Sequence, residues 1–331
     1  MYSQHISALD THTEGDPTRF ILSGIPFIPG STMVGKLNFF QKNLDHVRKF
    51  LMQEPRGHRD MFGAAIVPPV TPDSAFGIIF MDNGGYLNMC GHGIIAAATV
   101  GKKLGMISKE AKAVKIDSPA GQIEAEYVDD GHGGFAVKIT SVPSFVHCLD
   151  KEIKLNNGKT VNVDIAFGGS FFAFVQAEAL GIDEQNYTID QIRDYGMMVK
   201  DAVNSQVKVQ HPVEKHIDQV DLVEILFKPK KQGVDCKNIL IFGEGIIGRD
   251  PCATGATAKL AIEYSKGKLQ LNQNYVVEGL IETTYTCNIT GTTKVGELDA
   301  VIPVIVGKTY ITSFAQFVVE SDDPLPTGWL V

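Results

Sequence analysis

Two segments of the sequence each place a cysteine just before a predicted helix: Met89-Cys90-Gly91-His92-Gly93 and Pro251-Cys252-Ala253-Thr254-Gly255. Alanine-rich stretches follow at 94–105 and 256–267, and both carry lysine near the end and close on a glycine. This composition and these stop signals are typical of helices. About half of the chain separates the two cysteines. The sequence therefore predicts one design used twice.

A cysteine at the start of a helix is suited to acid–base chemistry. Unpaired N–H groups and a partial positive charge at a helix N-terminus lower the pKa of a thiol and attract anions. Two thiols that face one ligand titrate as a coupled pair, which favours one thiolate and one thiol. Such a pair can remove the α-proton of an amino acid and return a proton on the other face. The helix N–H groups would stabilise the enolate-like carboxylate, so the chemistry needs no cofactor.

The composition is that of a globular protein and disfavours several other classes. A chain of 331 residues with 44% apolar content can bury two cores. The net charge of −8 and the lack of a basic block disfavour nucleic acid or a membrane as partner. Five cysteines without paired spacing indicate reduced thiols. We expect a cytoplasmic protein with a small-molecule substrate, and a homodimer is left open.

Pattern along the chain indicates an α/β (α+β) fold of two similar halves. An amphipathic helix is predicted over 43–54, and strands are predicted over 20–22, 64–67, 76–80, 114–117, 122–127, 135–139, 220–227, 238–242 and 275–290. We place the division near residue 144, which gives a first domain of 1–144 with Cys90 and a second of 145–331 with Cys252. Whether the final strands complete the first domain stays open.

Further motifs surround the two cysteine segments and carry a family resemblance. They are Asp10-Thr11-His12-Thr13-Glu14-Gly15, Glu54-Pro55-Arg56-Gly57-His58, Asp60-Met61-Phe62-Gly63, Gly84-Gly85-Tyr86-Leu87-Asn88, Phe167-Gly168-Gly169-Ser170-Phe171-Phe172, Gln210-His211-Pro212 and Ile241-Phe242-Gly243. Over essentially its whole length the chain resembles the proline racemase family, whose cofactor-independent enzymes include proline racemase and 4-hydroxyproline 2-epimerase.

The resemblance implies a fold like that of diaminopimelate epimerase, with two pseudo-symmetric domains that each wrap a strand barrel around a central helix. It also implies that Cys90 and Cys252 are the two catalytic bases, that His92 holds the substrate and that Phe62 and Phe242 wall its ring. Cysteine at both positions resembles the racemases and epimerases rather than the 3-hydroxyproline dehydratases. The remaining substrate-binding candidates lie around the two cysteines: Gly91, Gly93, Asp250, Ala253, Thr254 and Gly255.

The chain departs from the family pattern just before the second cysteine. The family usually reads Asp-Arg-Ser-Pro-Cys followed by Gly-Thr-Gly, so its amine-binding aspartate is replaced here by Gly248. Asp250 could bind the amine instead, because alternate residues of an extended chain face the same side. It could equally cap the helix. In either position its charge should oppose formation of the Cys252 thiolate, and Ala253 adds a methyl group to this turn.

Four functional hypotheses follow, in this order. The first is a proline racemase, because two phenylalanines suit an unsubstituted ring and would leave a ring hydroxyl without a partner. The second is a 4-hydroxyproline 2-epimerase. The third is a weakly active or non-catalytic carboxylate-binding relative, motivated by Gly248 and Ala253. The last is a thiol-dependent acyl-transfer enzyme that uses Cys90 and His92, which would leave Cys252 without a role.

Other cysteines and histidines have simpler interpretations. Cys148, Cys236 and Cys287 are predicted to be buried apolar residues, and the side chains of His12, His58 and His211 are expected to bond to backbone in turns. Cys90 and His92 could form half of a metal site, but no second ligand pair stands at zinc spacing, so no metal is predicted.

Overall fold

The computed structural model describes residues 2–330, which fold into two compact units. The first unit contains residues up to Ile139 together with Gly307 onward, and the second contains Thr140–Val306. None of the helices in the described part of the chain has the length and apolar character needed to span a bilayer.

The first unit surrounds helix α2 with strands. Its elements are β1 (Tyr2–Thr13), β2 (Asp16–Ser23), α1 (Met33–Met52), β3 (Phe62–Val67), β4 (Phe76–Asp82), β5 (Tyr86–Leu87), α2 (Gly91–Lys103), β6 (Ala113–Ser118), β7 (Gly121–Asp129), β8 (Phe135–Thr140) and β18 (Thr309–Glu320). The described strands pair in the order β18-β1-β2-β3-β4-β6-β7-β8, in which β2/β3 and β4/β6 run parallel.

The second unit surrounds helix α5 in the same way. Its elements are β9 (Phe145–Lys154), β10 (Thr160–Phe167), β11 (Phe171–Gln176), α3 (Ala177–Leu180), α4 (Ile189–Gln206), β12 (Val220–Phe227), β13 (Cys236–Phe242), β14 (Ile246–Ile247), α5 (Ala253–Ser265), β15 (Tyr275–Glu278), β16 (Thr284–Val295) and β17 (Leu298–Gly307). The strands pair in the order β9-β10-β11-β12-β13-β15-β16-β17, in which β11/β12 and β13/β15 run parallel.

The two units share one pattern of strand directions. In both of these strand orders, the third and fifth pairings are parallel and the other five are antiparallel. In each unit a long helix (α1 or α4) lies between the two strands of the first parallel pairing. In each unit the cysteine helix follows a two-residue strand (β5 or β14). The prediction of two pseudo-symmetric halves in an α/β fold is therefore confirmed.

Helices α2 and α5 are central in their units. Ten residues of α2, from Gly91 to Gly101, and ten residues of α5, from Ala253 to Glu263, are buried. Their alanines and glycines leave room for strands to approach from all sides. Because both helices are buried all round, they lack the polar face of a surface helix. A helix that is buried all round holds its first residue firmly, and in both units that residue follows the cysteine.

Several predicted boundaries differ from the structure. Helix α1 begins at Met33 rather than Asn43, because Thr32 accepts a hydrogen bond from Gly35 N and caps an earlier turn. The helix changes direction at Leu44, which has non-helical dihedral angles. The predicted strand 275–290 is two strands joined by a turn, and α4 was not predicted.

The strand β18 at the C-terminus belongs to the first unit, where it pairs with β1. Ile139 ends the continuous part of that unit, close to the predicted division at 144. As an assignment of two equivalent functional domains, 1–144 and 145–331 stays a prediction.

Candidate functional site

The candidate functional residues of the first unit lie at the start of α2. Cys90 is the N-cap residue of this helix and has extended dihedral angles. Its sulfur lies 3.2 Å from Nδ1 of His92 and 3.8 Å from Nε2, so the imidazole ring lies against the thiol. Because His92 comes two residues after Cys90 on the first turn, the helix itself fixes this contact. An imidazole at this distance can accept the thiol proton or donate to the thiolate.

The surroundings of His92 favour the neutral form of its ring, because burial lowers its pKa. Only 12% of the side chain is exposed, and Asp16 Oδ2 lies 3.8 Å from Nδ1. Burial lowers the pKa of His92, and the charge of Asp16 opposes that shift in part. The ring of Phe62 packs edge-on against the imidazole, with 4.6 Å between ring centres. Phe62 is buried, and it also contacts Phe80.

Tight packing supports the first turn of α2. A side chain at Gly93 would overlap the ring of Phe80 from β4. The hydroxyl of Thr13 donates to the carbonyl of His92 over 3.3 Å and is bonded to the hydroxyl of Thr309 over 2.7 Å. Gly93 is therefore needed for packing, in addition to any contact with a ligand.

The candidate functional residues of the second unit lie at the start of α5. Cys252 is the N-cap residue, and its sulfur accepts a hydrogen bond from Gly255 N over 3.3 Å. The hydroxyl of Thr254 lies 3.7 Å from the same sulfur. Cys252 has a φ of 56°, a region that is unusual for a residue with a side chain. The residue is 5% exposed. Strained backbone of this kind occurs most often at functional sites.

Asp250 is buried, and its two oxygens are engaged. Oδ1 accepts from the backbone N–H of Cys252 over 3.0 Å, and Oδ2 accepts from the hydroxyl of Tyr285 over 2.6 Å. The helix cap predicted as one role of Asp250 is provided by Cys252 itself. Binding of a substrate amine by Asp250 stays a prediction.

Gly248, at the position where the resemblance implies an aspartate, is buried beside Leu240. A Cβ at Gly248 would lie 3.0 Å from Leu240 Cβ, so a larger residue would require Leu240 to move. The replacement of the aspartate is thus accompanied by close apolar packing.

The Phe167-Gly168-Gly169 motif lies behind the second cysteine. A side chain at Gly168 would overlap the carbonyl oxygen of Thr254. Thr257 donates to the carbonyl oxygens of both Gly168 and Thr254. The motif therefore supports the first turn of α5.

The electrostatics at Cys252 differ from the sequence expectation. Burial raises the pKa of its thiol well above the usual value, and the nearby carboxyl groups of Glu224 and Asp250 raise it further. The hydrogen bond from Gly255 N lowers the pKa but does not outweigh burial. The helix start thus lowers the pKa of Cys252 as expected, but burial outweighs it and the net shift is upward, whereas the predicted effect of Asp250 is confirmed.

The other candidates occupy varied environments. Ala253 and Gly255 are buried, Thr254 and Phe242 are half-buried, and Gly91 is the buried first residue of α2. Their roles in substrate binding stay predictions. As expected, Nδ1 of His12, His58 and His211 accepts hydrogen bonds from backbone N–H groups. Cys236 and Cys287 are buried, and Cys148 is half-buried.

Three carboxyl or hydroxyl groups at the site were missed from the sequence. Asp16 follows a turn with positive φ at Glu14 and Gly15, which could have signalled a special position. Glu224 lies within β12, which was predicted as a strand. Tyr285 lies at the start of β16, a strand of ordinary composition. Neither of these two carries a local signal, because each gains its role from partners elsewhere in the chain.

Solved structures place the fold among known ones. The chain is similar to a hydroxyproline epimerase from Agrobacterium vitis, solved with bound trans-4-hydroxy-L-proline, with a TM-score of 0.84 and 28% sequence identity. The alignment covers 100% of this chain and 97% of that one. A PhzF-family protein from Bacillus anthracis shares the fold alone, with a TM-score of 0.64 and 10% identity. The predicted diaminopimelate-epimerase-like fold is confirmed.

Sequence comparison then defines the family. The chain is 44% identical to a proline racemase from Acetoanaerobium sticklandii, over 100% of this chain and 99% of the relative. It is 38% identical to a 4-hydroxyproline 2-epimerase from Streptosporangium roseum, over 98% of each. The proline racemase family model matches residues 8–330. The chain therefore belongs to the proline racemase family, as the resemblance predicted.

Proposed function

We propose that this chain is a cofactor-independent amino-acid racemase that interconverts L- and D-proline, with Cys90 and Cys252 as the two acid–base groups. One observation carries the proposal: both cysteines are N-cap residues of buried central helices in units of identical strand order. The 44% identity to a proline racemase over the whole chain supports proline as the substrate.

In the proposed reaction one cysteine is a thiolate and the other a thiol. The thiolate removes the α-proton, and the thiol donates a proton to the opposite face, so the two residues exchange protonation states in each turnover. His92 accepts the proton of Cys90 or returns it, because its ring lies 3.2 Å from the sulfur. Backbone N–H groups at the helix starts stabilise the carboxylate as negative charge builds up.

The experiment that tests the function is the incubation of L-proline and of trans-4-hydroxy-L-proline with the protein in deuterated water. Chiral separation and NMR then measure inversion and α-deuterium. We expect D-proline that carries deuterium, and a loss of at least about 10²-fold in rate for Cys90→Ser and for Cys252→Ser. Cys148→Ser is the matched control, because Cys148 is a half-buried strand residue outside the site, and it should keep the activity.

A 4-hydroxyproline 2-epimerase is the second candidate. It is favoured by the 38% identity to the Streptosporangium roseum relative and by the similarity to the Agrobacterium vitis structure. Inversion of hydroxyproline alone would select this function.

A weakly active or non-catalytic carboxylate-binding protein is the third candidate. It is favoured by Gly248 in place of the aspartate and by the two engaged oxygens of Asp250. No exchange with either substrate would select this function and contradict both enzymatic proposals.

We further propose that the protein acts in the cytoplasm on a small amino acid. Its five cysteines, all within the described residues, form no disulfide, and its net charge of −8 is unfavourable for contact with nucleic acid or an anionic membrane.

A further inference from the structure

The two cysteines have different neighbours, although their units share one topology. Cys90 is paired with His92, two residues along the chain. The residue at the corresponding position after Cys252 is Thr254, whose hydroxyl is 3.7 Å from the sulfur and is a poor base. If both thiols exchange protons during turnover, Cys252 needs a proton partner from elsewhere in the second unit.

A buried carboxyl group of the second unit lies close to Cys252. Glu224, on β12, is 0% exposed. A Cβ built on Gly255 would overlap Oε1 of Glu224 and lie 3.1 Å from Sγ of Cys252, so the carboxyl oxygen and the sulfur flank the same small residue. The equivalent position in the first unit is Gly93, where the neighbour is the apolar ring of Phe80. A carboxyl group packed against this glycine is thus a feature of the second unit.

The carboxyl group is held in place through one oxygen. Asn238 on β13 donates from Nδ2 to Oε2 of Glu224 over 2.7 Å and to the carbonyl oxygen of Pro251 over 3.0 Å. This bridge ties the carboxyl group to the residue just before Cys252. Oε1, the oxygen on the side of Gly255, is buried and has no hydrogen-bond partner of good geometry among residues 2–330. A buried polar atom without a partner is costly, and it often marks a functional group.

We propose that Glu224 is the proton partner of Cys252: its buried carboxyl group shares one proton with the thiol and donates a hydrogen bond to the sulfur when Cys252 is the thiolate. In this exchange the S–H bond of Cys252 breaks and an O–H bond forms at Oε1 of a Glu224 carboxylate. A thiolate and a neutral carboxyl group result. Glu224 acts through Cys252 and is a positioning residue. Its catalytic meaning rests on the proposed racemase function.

The charges around the pair are consistent with a shared proton. Burial raises the pKa of Glu224 to about 8, while the hydrogen bond from Asn238, the charge of Lys259 and the nearby side chain of Cys252 oppose the shift. Lys259 is itself held by an ion pair of 2.8 Å to Glu263. The titratable groups that face the pair are Asp250, Cys236, Lys259 and, through Lys259, Glu263.

The test measures how much Cys252 thiolate is present at pH 8 in the substrate-free protein. Ultraviolet thiolate absorbance is recorded for the wild type and for Glu224→Gln, and the absorbance of the matching protein with Cys252→Ser is subtracted from each. Glutamine preserves the shape of the side chain but cannot take up the proton. We expect less Cys252 thiolate in Glu224→Gln than in the wild type.

The opposite result would overturn the proposal. A carboxylate that only repels the thiolate would give an equal or larger thiolate signal after Glu224→Gln, since a like charge is removed. Asp250→Asn is the matched control: Asp250 accepts hydrogen bonds at both oxygens, so loss of its charge should increase the thiolate signal. Circular dichroism of the wild type and of Glu224→Gln at pH 4.5 checks that the variant folds, because Glu224 is neutral at this pH and the two side chains then carry the same charge.

Kinetics give a second readout that separates this inference from the function itself. We expect Glu224→Gln to lower kcat for proline by about 10²-fold with little change in KM, which is the lower end for a positioned acid–base group. If the wild type inverts proline and Glu224→Gln does so at the same rate, the role of Glu224 is refuted while the function stands. If the wild type shows no turnover, the thiolate measurement still decides whether the pair shares a proton.

Discussion

At the scale of single residues, Glu224 links the pH dependence of stability to the site. Its pKa is about 8 in the folded protein, whereas the usual value for a glutamate side chain, which applies to the unfolded chain, is 4.5. The folded state therefore binds more protons than the unfolded state between these two values. By linkage, this group's contribution to the free energy of unfolding is fully present below pH 4.5 and is lost as the pH rises to about 8.

Glu224→Gln should remove this pH dependence, because its side chain stays neutral at every pH. Relative to the wild type, we expect the melting temperature of the variant to rise steadily between pH 4.5 and about 8 and then to level off. Thermal unfolding across this range checks the prediction. A difference in melting temperature that is independent of pH would show that Glu224 is ionised in the folded protein at neutral pH.

Some of the site residues could be predicted from the sequence and others could not. Cys90 and Cys252 stood out because each carries its local signal, a helix start with glycine nearby. Glu224 did not, since a glutamate in Val220–Phe227 is expected on the solvent side of a strand. Its burial depends on Asn238 and Cys252, which come from other elements. No local pattern encodes such a meeting.

At the scale of elements, the start of α5 depends on a glycine that propensity alone would replace. Alanine is a better helix former than glycine by up to about 1 kcal/mol. In the structure, however, a Cβ at Gly255 would overlap Oε1 of Glu224 in a fully buried position. We expect Gly255→Ala to destabilise the protein by about 3 kcal/mol, the upper end for overpacking, and to abolish turnover.

The matched control is Gly85→Ala, in the turn before the first cysteine. A Cβ there meets no atom of the described residues within 4 Å, so the free energy of unfolding should change by less than about 0.5 kcal/mol. Denaturant unfolding of both variants gives the comparison. Equal effects at the two positions would contradict the packing account of α5.

Element boundaries show how far local signals extend. The ends of both cysteine helices were predicted closely, because a positive-φ glycine, Gly105 or Gly267, follows each. The start of helix α1 was predicted ten residues too late, since its first half, from Met33, carries glycine and mixed polarity and is fixed by the Thr32 cap. Capping by a single threonine is a weak signal in a sequence that also contains threonines in turns.

At the scale of the whole molecule, strand β18 closes the first unit with residues from the far end of the chain. It pairs antiparallel with β1 along nearly its full length, from Tyr2↔Glu320 to Thr13↔Thr309. A chain that ends at residue 306 would leave β1 as an unprotected edge and would expose Ile6 and Leu9, which are fully buried.

We expect that truncation to remove amide protection from β1 and β2 while β12 and β13 stay protected. Hydrogen exchange resolved by peptide measures this directly. Protection that persists in β1 would contradict the assignment of the C-terminal strand to the first unit. The sequence left this connection open because long-range pairing has no local signature. It predicted two similar halves, whereas the strand pairing and strand directions that they share became visible only in the structure.

In the proposed reaction one thiol removes the α-proton and a different thiol delivers the new one. The most direct measurement follows L-proline in deuterated water at early times and records α-deuterium separately in each enantiomer. The two-thiol account predicts deuterium in the D-proline formed and almost none in the remaining L-proline, because the proton taken from one face is not the one returned to the other. Deuterium that appears equally in both enantiomers would show that a single base serves both faces, and would contradict the account.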